Sequence, residues 1–336
     1  MSSDLPTVAV IGASGCVGRN LLVRLSEAGF AIGRPAEADV VFLLSEADTV
    51  HDVHAVHAGS RRPLVIFASS AKSPDDAPEA ALLGLAAVGE ATAAVYRLPE
   101  VFGKWAETRR ASAVATLCHQ LARGLPVDVD DPDAPLSLLY VDDLIDQWLA
   151  LIRAPSRQSG IIEPAGVHET TAGEVASILQ GFAAGRAAGE VAAVGSGLER
   201  ALYATFVSAL PTDAFAYPLV ARTDPRGSFT EVLKAGAGGQ VSVLTAHPGV
   251  TRGGHYHHSK VEKFLIVHGE ALFRFRNILD GETFELRTSA DRPVVVETIP
   301  GWTHEVTNVG PEVMVSFLWA NEVFDRERPD TFWTAS

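Results

Sequence analysis

Cysteine is almost absent from this chain of 336 residues: only Cys16 and Cys118 occur, each inside an apolar segment. Two isolated cysteines exclude the disulfide framework that small secreted domains use, and they indicate a reducing compartment. The first residues have neither a charged leader nor a long apolar run. We therefore expect no signal peptide and a cytoplasmic protein.

Long apolar runs and basic clusters are also lacking. No stretch of about twenty apolar residues occurs, so the sequence predicts no membrane-spanning helix. The formal net charge is −14, because 27 lysines and arginines stand against 41 aspartates and glutamates. Nucleic acids and anionic membranes both require a positively charged surface, so we expect neither as a partner.

A glycine-rich turn follows the first apolar run. Residues 8–11 are continuously apolar, which is typical of a parallel strand buried on both faces. The turn then leads into a helical pattern. Glycines here let the backbone approach a pyrophosphate, whose charge lies at the helix N-terminus. The pattern predicts a nucleotide site formed by Gly12, Ser14, Gly15, Val17 and Gly18.

The spacing Gly-x-x-Gly-x-x-Gly resembles that of extended short-chain dehydrogenase/reductase enzymes, as do later apolar segments at 40–44, 64–70 and 95–103. The resemblance implies a Rossmann-like doubly wound parallel sheet. It also places Ser69 or Ser70 at the catalytic serine of that family, beside the cofactor, and the strand that carries Arg97 on the substrate side.

Two departures from that family are visible. Too few residues separate Gly18 from position 40 for a complete strand, crossover helix and strand, so we expect a truncated sheet. Arg34 is the residue placed to meet a 2′-phosphate, which favours NADP if a dinucleotide binds. The alternative for Arg34 is a solvated loop position.

The Tyr-x-x-x-Lys pair of the reductases is missing from the expected place. In that pair the lysine lowers the pKa of the tyrosine, whose phenol then donates a proton to the ketone. No tyrosine precedes Tyr96, and the best ungapped match places Glu79 and Leu83 at the two positions. A carboxylate and an alkyl chain cannot perform that chemistry. We therefore expect a domain that binds nucleotide but reduces poorly or not at all.

A second pattern lies in the C-terminal part of the chain. His255 and His257 are two positions apart on a predicted strand, so their side chains face the same side. Glu262 follows after a turn, and His304 comes from a distant strand that would close a small β-barrel. Three imidazoles and one carboxylate suit zinc, iron, manganese or nickel. The sequence predicts a metal site formed by these four residues.

The motifs at 254–269 and 300–308 resemble those of the cupin superfamily. The resemblance implies an all-β jelly roll whose metal ligands are His255, His257, Glu262 and His304. His258 replaces His257 as a ligand if the strand is bulged.

Residues 226–231 resemble a stretch of RmlC-type deoxysugar epimerases, in which an arginine and a glutamate hold the nucleotide sugar. This resemblance implies that Arg226, Phe229 and Glu231 contact a substrate. A guanidinium group matches the geometry of a diphosphate, and a carboxylate accepts hydrogen bonds from sugar or base. The alternative is a charged edge strand after a turn.

The order of the two parts, residues 1–205 and 206–336, resembles the CapF-like family of bifunctional capsular polysaccharide enzymes over nearly the full chain. In that family the cupin domain removes a proton next to a ketone, and the reductase domain then delivers hydride. The resemblance also implies a homodimer. The expected fold class is α/β plus all-β, a truncated Rossmann-like sheet followed by a cupin barrel.

These observations predict a metal-dependent epimerase of a nucleotide-activated 4-keto-6-deoxy sugar, which abstracts a proton next to the ketone. His258, Tyr256 and Lys263 lie nearest the ligands in sequence and are the candidates for the catalytic base. Two alternatives stay open. One is the CapF-like pair of activities, with Glu79, Lys72 or a water as proton donor. The other is a cupin lyase, retro-aldolase or oxygenase with a non-catalytic Rossmann scaffold.

Overall fold

The structure is a computed structural model that describes residues 5–44, 62–72, 76–108, 112–211, 214, 219–257, 260–278, 280–299, 301–327 and 329–333. The chain divides into two compact units, Met1–Gln180 with Gly195–Thr212 and Gly181–Val194 with Asp213–Ser336. The domain boundary expected after residue 205 stays a prediction. No described helix has both the length and the apolar character needed to cross a membrane.

The first unit combines strands and helices. Its strands are β1 (Val8–Ile11), β2 (Val40–Leu43), β3 (Leu64–Ser70), β4 (Thr92–Leu98), β5 (Glu100–Phe102), β6 (Pro135–Tyr140), β7 (Gly160–Ile162) and β8 (His168–Thr171). Its helices are α1 (Cys16–Glu27), α2 (Asp76–Ala87), α3 (Ala113–Leu121), α4 (Val141–Arg153), most of α5 (Ala172–Ala188) and α6 (Gly197–Ser208). A short 3₁₀ turn, Pro35–Glu37, precedes β2.

Five parallel strands form the main sheet, in the order β1-β2-β3-β4-β7. All four residues of β2 are buried, as expected for a parallel strand covered on both faces. On its other side, within the described part of the chain, β1 has only an isolated parallel bridge, between Val8 and Ile32. A complete doubly wound sheet carries a full strand at this place. The expected truncation of the Rossmann-like sheet is therefore confirmed.

The second unit is rich in antiparallel β-structure. Its strands are β9 (Ala221–Asp224), β10 (Gly227–Lys234), β11 (Gln240–Ala246), β12 (Thr251–Tyr256), β13 (Glu262–His268), β14 (Glu270–Asn277), β15 (Thr283–Ser289), β16 (Val296–Glu297), β17 (Trp302–Asn308), β18 (Met314–Ala320) and β19 (Phe332–Trp333). They form a sheet of order β16-β13-β18-β11-β10-β9 and a sheet of order β15-β14-β17-β12-β19.

The two antiparallel sheets share one apolar core. Burial alternates along β11 with period two, so each strand presents one face to the core. Phe264 and Leu318 of the first sheet belong to the same buried cluster as Phe273 and Val306 of the second. Two sheets packed over a common core form the β-sandwich architecture to which jelly rolls belong. The predicted fold class, a truncated Rossmann-like sheet followed by an all-β domain, is confirmed.

Candidate functional site

Four side chains converge in the second unit. His255 lies on β12, His257 directly follows that strand, Glu262 begins β13 and His304 lies on β17. One possible ligand atom from each of the four lies within 4.8 Å of the others. His257, Glu262 and His304 are 1%, 7% and 4% exposed. The structure therefore brings together the four residues that the sequence predicted as metal ligands.

A β-bulge in β12 aims His255 into this cluster. The register between β12 and β17 shifts between Gly253 and His255, which leaves His255 opposite His304. Gly253 has a φ angle of 94°, and a Cβ atom there would lie 2.7 Å from the carbonyl oxygen of His304. Only glycine tolerates both the conformation and the close approach. The rings of His255 and His304 then lie 4.7 Å apart, centroid to centroid.

The ring nitrogens of the cluster are poorly satisfied. Among the described residues, His255 Nδ1, His257 Nε2 and both ring nitrogens of His304 are buried without a hydrogen-bond partner. The Nε2 atoms of His257 and His304 each lie 3.4 Å from Glu262 Oε2, longer than a charge-assisted hydrogen bond. A buried polar atom without a partner costs about 1–3 kcal/mol. Imidazole and carboxylate are ligands of divalent transition metals, so the donor set fits such an ion.

The protonation states of His255 and Glu262 also suit a cation. Burial, with smaller contributions from His304 and His257, lowers the pKa of His255 to about 3. Burial alone would raise the pKa of Glu262, but the nearby positive charge of Lys260, whose Nζ lies 3.4 Å from Glu262 Oε1, helps to hold it below its ordinary range. Neutral imidazole and ionised carboxylate are the forms that bind metal.

A cavity of about 370 Å³ opens onto the cluster. The residues predicted to contact a substrate in this unit, Arg226, Phe229 and Glu231, line it. Arg222 and Arg252 bring two further guanidinium groups to its wall. The volume is that of a small-molecule site, and its lining combines these guanidinium groups with carboxylates, among them Glu231 and Glu262.

Comparisons with known proteins identify the family of the chain. A family model described as "Polysaccharide biosynthesis C-terminal domain" matches residues 222–332. A crystal structure of the capsular polysaccharide assembling protein CapF from Staphylococcus aureus has 33% identity and a TM-score of 0.87, covering 98% of this chain and 100% of that chain. A structure of CapF with the inhibitor 3-isopropenyl-tropolone has a TM-score of 0.91 at the same identity and coverage.

A Pseudomonas aeruginosa protein named UDP-2-acetamido-2,6-beta-L-arabino-hexul-4-ose reductase is 40% identical over 97% of both chains. The chain belongs to the CapF-like family. This membership was expected from the order of the two sequence patterns, and it is confirmed over nearly the whole length.

The glycine-rich loop of this CapF-family chain has the geometry of an anion site. Gly12 has a φ angle of 80°, and α1 begins at Cys16 without a side-chain cap or an acidic residue in its first turn. A Cβ atom at Gly18 would lie 2.5 Å from Ala13 Cα, whereas one at Gly15 would meet no described atom within 4 Å. The loop is therefore tightly packed at Gly18 and open at Gly15, next to which Ser14 is exposed. The positive end of the helix dipole faces this opening.

Arg34 lies two residues after Ile32, which forms the isolated bridge to β1. The N–H of Gly33 donates to the carbonyl oxygen of Val8 at 2.9 Å, so Arg34 directly follows the residual strand. The exposed guanidinium therefore stands at the carboxyl end of the residual second strand, where Rossmann folds recognise the ribose.

Glu79 of α2, which the ungapped sequence match aligned with the reductase tyrosine, is a paired carboxylate. Ser69 Oγ donates to Glu79 Oε1 at 2.6 Å, and Arg97 Nη2 donates to Glu79 Oε2 at 2.8 Å. Arg97 lowers the pKa of Glu79 by hydrogen bonding and outweighs the opposing effect of burial, with help from Ser69. Glu79 is ionised at neutral pH and has no proton to donate. Arg97, predicted to contact substrate, is engaged by this carboxylate.

A cavity of about 270 Å³ lies beside this network, at the carboxyl ends of β3 and β4. Val17 and Ser69, two of the predicted cofactor residues, line it together with Ser70, Lys72 and Glu100. The carboxyl ends of parallel strands are where doubly wound sheets bind their ligands. This cavity is therefore the candidate place for a nucleotide in the first unit.

The three candidates for the catalytic base have different surroundings. Lys263 points to the opposite face of β13 from Glu262, is 44% exposed and pairs with Glu297. Tyr256 stacks on Phe332 with ring centroids 5.4 Å apart and does not belong to the described lining of the cavity. His258 lies outside the described residues. The structure does not bring Lys263 or Tyr256 to the four-residue cluster.

Two residues without a role in the sequence interpretation line the cavity. Lys260 is 7% exposed, and its Nζ lies 3.4 Å from Glu262 Oε1. Trp333 lies on the last described strand, with its ring 5.0 Å from that of His255. The sequence signals for Lys260 were its nearness to the His-x-His motif and a Tyr-x-x-x-Lys spacing with Tyr256, which we interpret as coincidence. Trp333 reaches the site through the pairing of β19 with β12, which local pattern does not encode.

Proposed function

We propose that the second unit is a metal-dependent epimerase of a nucleotide-activated 4-keto-6-deoxy sugar. Membership of the CapF-like family supports an enzyme that modifies nucleotide sugars. Metal dependence is supported by the convergence of three imidazoles and Glu262 at a cavity. Several of the buried ring nitrogens lack partners among the described residues. The Pseudomonas relative is named for a UDP-activated hexul-4-ose, which supports a 4-keto substrate.

The proposed chemistry is proton abstraction next to the ketone. A divalent ion held by His255, His257, Glu262 and His304 would supply Lewis-acid polarisation of the ketone oxygen. The arginines of the cavity wall, of which Arg226 was predicted from sequence, bind the diphosphate of the substrate. Lys260 adds a positive charge to the same wall, which favours the negative charge that develops on the substrate oxygen.

Deuterium incorporation tests this proposal. The purified protein is incubated in D₂O with a UDP-4-keto-6-deoxy sugar, with and without chelator, and exchange at the carbons next to the ketone is followed by NMR. We expect exchange that stops on chelation and returns with added zinc. The corresponding sugar with a hydroxyl at carbon 4 is the matched control, because its hydrogens are not acidified. Chelator-resistant exchange would exclude metal dependence, and absence of exchange would exclude the epimerase.

NADPH-dependent reduction in the first unit is the second candidate function. The specific observation in its favour is that the relative at 40% identity is named a reductase. The open glycine loop and the exposed Arg34 suit NADP. Because Glu79 is ionised and paired, the proton for the reduced ketone would come from Lys72, which lines the cavity, or from water.

Loss of NADPH absorbance on addition of the keto sugar tests the second candidate. Oxidation that Lys72→Met reduces while NADPH affinity is retained would assign the proton to Lys72. NADPH binding without oxidation would support the sequence prediction of a domain that binds nucleotide but no longer reduces. The homodimer also stays a prediction, which light scattering of the purified protein would test.

A further inference from the structure

The last described segment of the chain, Pro329 to Trp333, runs alongside the metal cluster. Its strand β19 pairs antiparallel with β12, so that Trp333 lies opposite His255 and Phe332 opposite Tyr256. A strand of two residues has too few ladder hydrogen bonds to hold a segment by itself. Other contacts must therefore fix it in place.

Asp330 makes two contacts that connect this segment to the cluster. Its side-chain Oδ2 accepts a hydrogen bond from the backbone N–H of Lys260 at 2.7 Å. Its backbone carbonyl oxygen accepts from His257 Nδ1. The first contact anchors the segment, and the second reaches a predicted metal ligand directly.

The carbonyl contact decides which nitrogen of His257 faces the cluster. A carbonyl oxygen can only accept, so Nδ1 carries the proton and Nε2 is left to face Glu262 at 3.4 Å. Metal-ligating histidines depend on such a partner for their tautomer and ring orientation. The anchor at Lys260 holds the carbonyl in the position from which it can do this.

We propose that Asp330 is a positioning residue of the metal site, so that metal affinity depends on the segment from Pro329 to Trp333. The carboxylate ties the segment to Lys260, and the carbonyl then orients His257 for a divalent cation. This inference rests on the proposed function, in that the four-residue cluster holds a metal.

Zinc affinity of the full-length apo-protein tests the proposal, measured by competition with a chromophoric chelator. Asp330→Ala removes the anchor and releases the carbonyl that orients His257, so we expect affinity weaker by about 10-fold and at most about 100-fold, the range for loss of an outer partner of a metal ligand. Asp330→Asn keeps an acceptor oxygen and is expected to rescue most of the loss. Asp325→Ala is the matched control, because exposed Asp325 also accepts a backbone N–H, from Glu327 at 2.8 Å, but does not touch the cluster.

The outcomes separate this inference from the proposed function. Wild-type protein that does not bind zinc would overturn both. Wild-type protein that binds zinc, with Asp330→Ala equal to Asp325→Ala, would overturn the inference alone. If circular dichroism shows that Asp330→Ala is unfolded, hydrogen–deuterium exchange of the wild type decides. Zinc must then slow exchange in 329–333 together with 251–257, and protection of 251–257 alone would refute the role of Asp330.

Discussion

The two units each bury a carboxylate with a lowered pKa, but the carboxylates differ in how they are satisfied. In the first unit, Glu79 receives hydrogen bonds from Ser69 and Arg97 at 2.6 and 2.8 Å, so its charge is neutralised by the chain itself. In the second unit, Glu262 faces His257 and His304 at 3.4 Å, and the ring nitrogens lack partners among the described residues. A closed network needs nothing further, whereas an open cluster is completed by a ligand.

The two carboxylates therefore differ in their expected roles: Glu79 stabilises the fold, whereas Glu262 belongs to a candidate metal site. The ungapped sequence match aligned Glu79 with the proton donor of the reductases, yet its pairing with Arg97 leaves it no proton to give. Glu262 and its histidines bring one possible ligand atom each to within 4.8 Å of one another, next to a cavity. The comparison predicts that substitutions in the first network change mainly stability, and that substitutions in the second cluster change mainly metal binding and exchange chemistry.

The largest expected effect is that of His304→Ala. It removes one of three imidazoles from the cluster, so we expect zinc affinity to fall by at least about 100-fold, beyond the loss of an outer partner. Metal-dependent deuterium exchange should fall to background. His268→Ala is the matched control, because His268 is an exposed histidine paired with Glu312 in the same unit. Equal zinc affinity of the two variants would remove the basis for a metal site.

The next effect is a loss of stability on Glu79→Gln. The substitution leaves the Arg97 guanidinium without its counter-charge, and we expect the free energy of unfolding at pH 7 to fall by about 2–3 kcal/mol, discounted for the partial exposure of Arg97. Urea unfolding measures this difference. Glu27→Gln is the control, because exposed Glu27 lies 3.7 Å from Arg24 and should contribute about 0.5 kcal/mol or less.

The same variant has a defined pH dependence. The pKa of Glu79 is lower in the folded state than its ordinary value of 4.5, mainly because of Arg97. The stabilisation is therefore fully present above the ordinary pKa and is lost as pH falls through the folded pKa. The difference between wild type and Glu79→Gln should shrink on acidification below pH 4.5. A difference that stays constant there would show that Glu79 acts through packing instead of charge.

The sequence predicted the four-residue cluster of the second unit, but it did not predict the network of Ser69, Glu79 and Arg97 in the first unit. Strand alternation and a turn place His255, His257 and Glu262 on one side of a barrel, and these are local rules. The pairing of Glu79 with Arg97 is a contact between different elements, α2 and β4, which composition and spacing do not specify. The same limit applies to Asp330, whose contacts with Lys260 and His257 join segments about seventy residues apart.

The fold shows the same division. The truncated sheet followed from counting residues between Gly18 and β2, because a crossover of a given type needs a minimum length. The residual bridge of Ile32 to Val8 was not predictable, since one bridge leaves no periodic pattern. Patterns within short stretches of sequence predicted the strands and the four clustered residues. Which charged groups pair with one another depends on contacts between elements that are distant in sequence.

A smaller effect is expected for Arg34→Ala. Arg34 is exposed at the carboxyl end of the residual second strand, and a 2′-phosphate would gain one charge-assisted interaction there. We expect NADPH affinity about tenfold weaker and NADH affinity nearly unchanged, as for loss of one charged hydrogen bond. Isothermal titration with both dinucleotides measures the ratio. Equal weakening for both would place Arg34 outside the 2′-phosphate site, and unchanged affinity for both would leave it as a solvated loop residue.

The smallest effect is expected for Lys263→Ala, although Lys263 was a candidate for the catalytic base from its place in the sequence. Strand alternation turns its side chain away from Glu262, and its exposed ion pair with Glu297 contributes about 1 kcal/mol or less. We expect the deuterium exchange rate to stay within about twofold of wild type, the range of ordinary surface substitutions.

Lys260→Met is the contrasting variant, because Lys260 lines the cavity and its charge faces Glu262. Loss of exchange in Lys263→Ala with intact zinc binding would mean that the exposed face of β13 takes part in the reaction, and that the cavity is not the whole site.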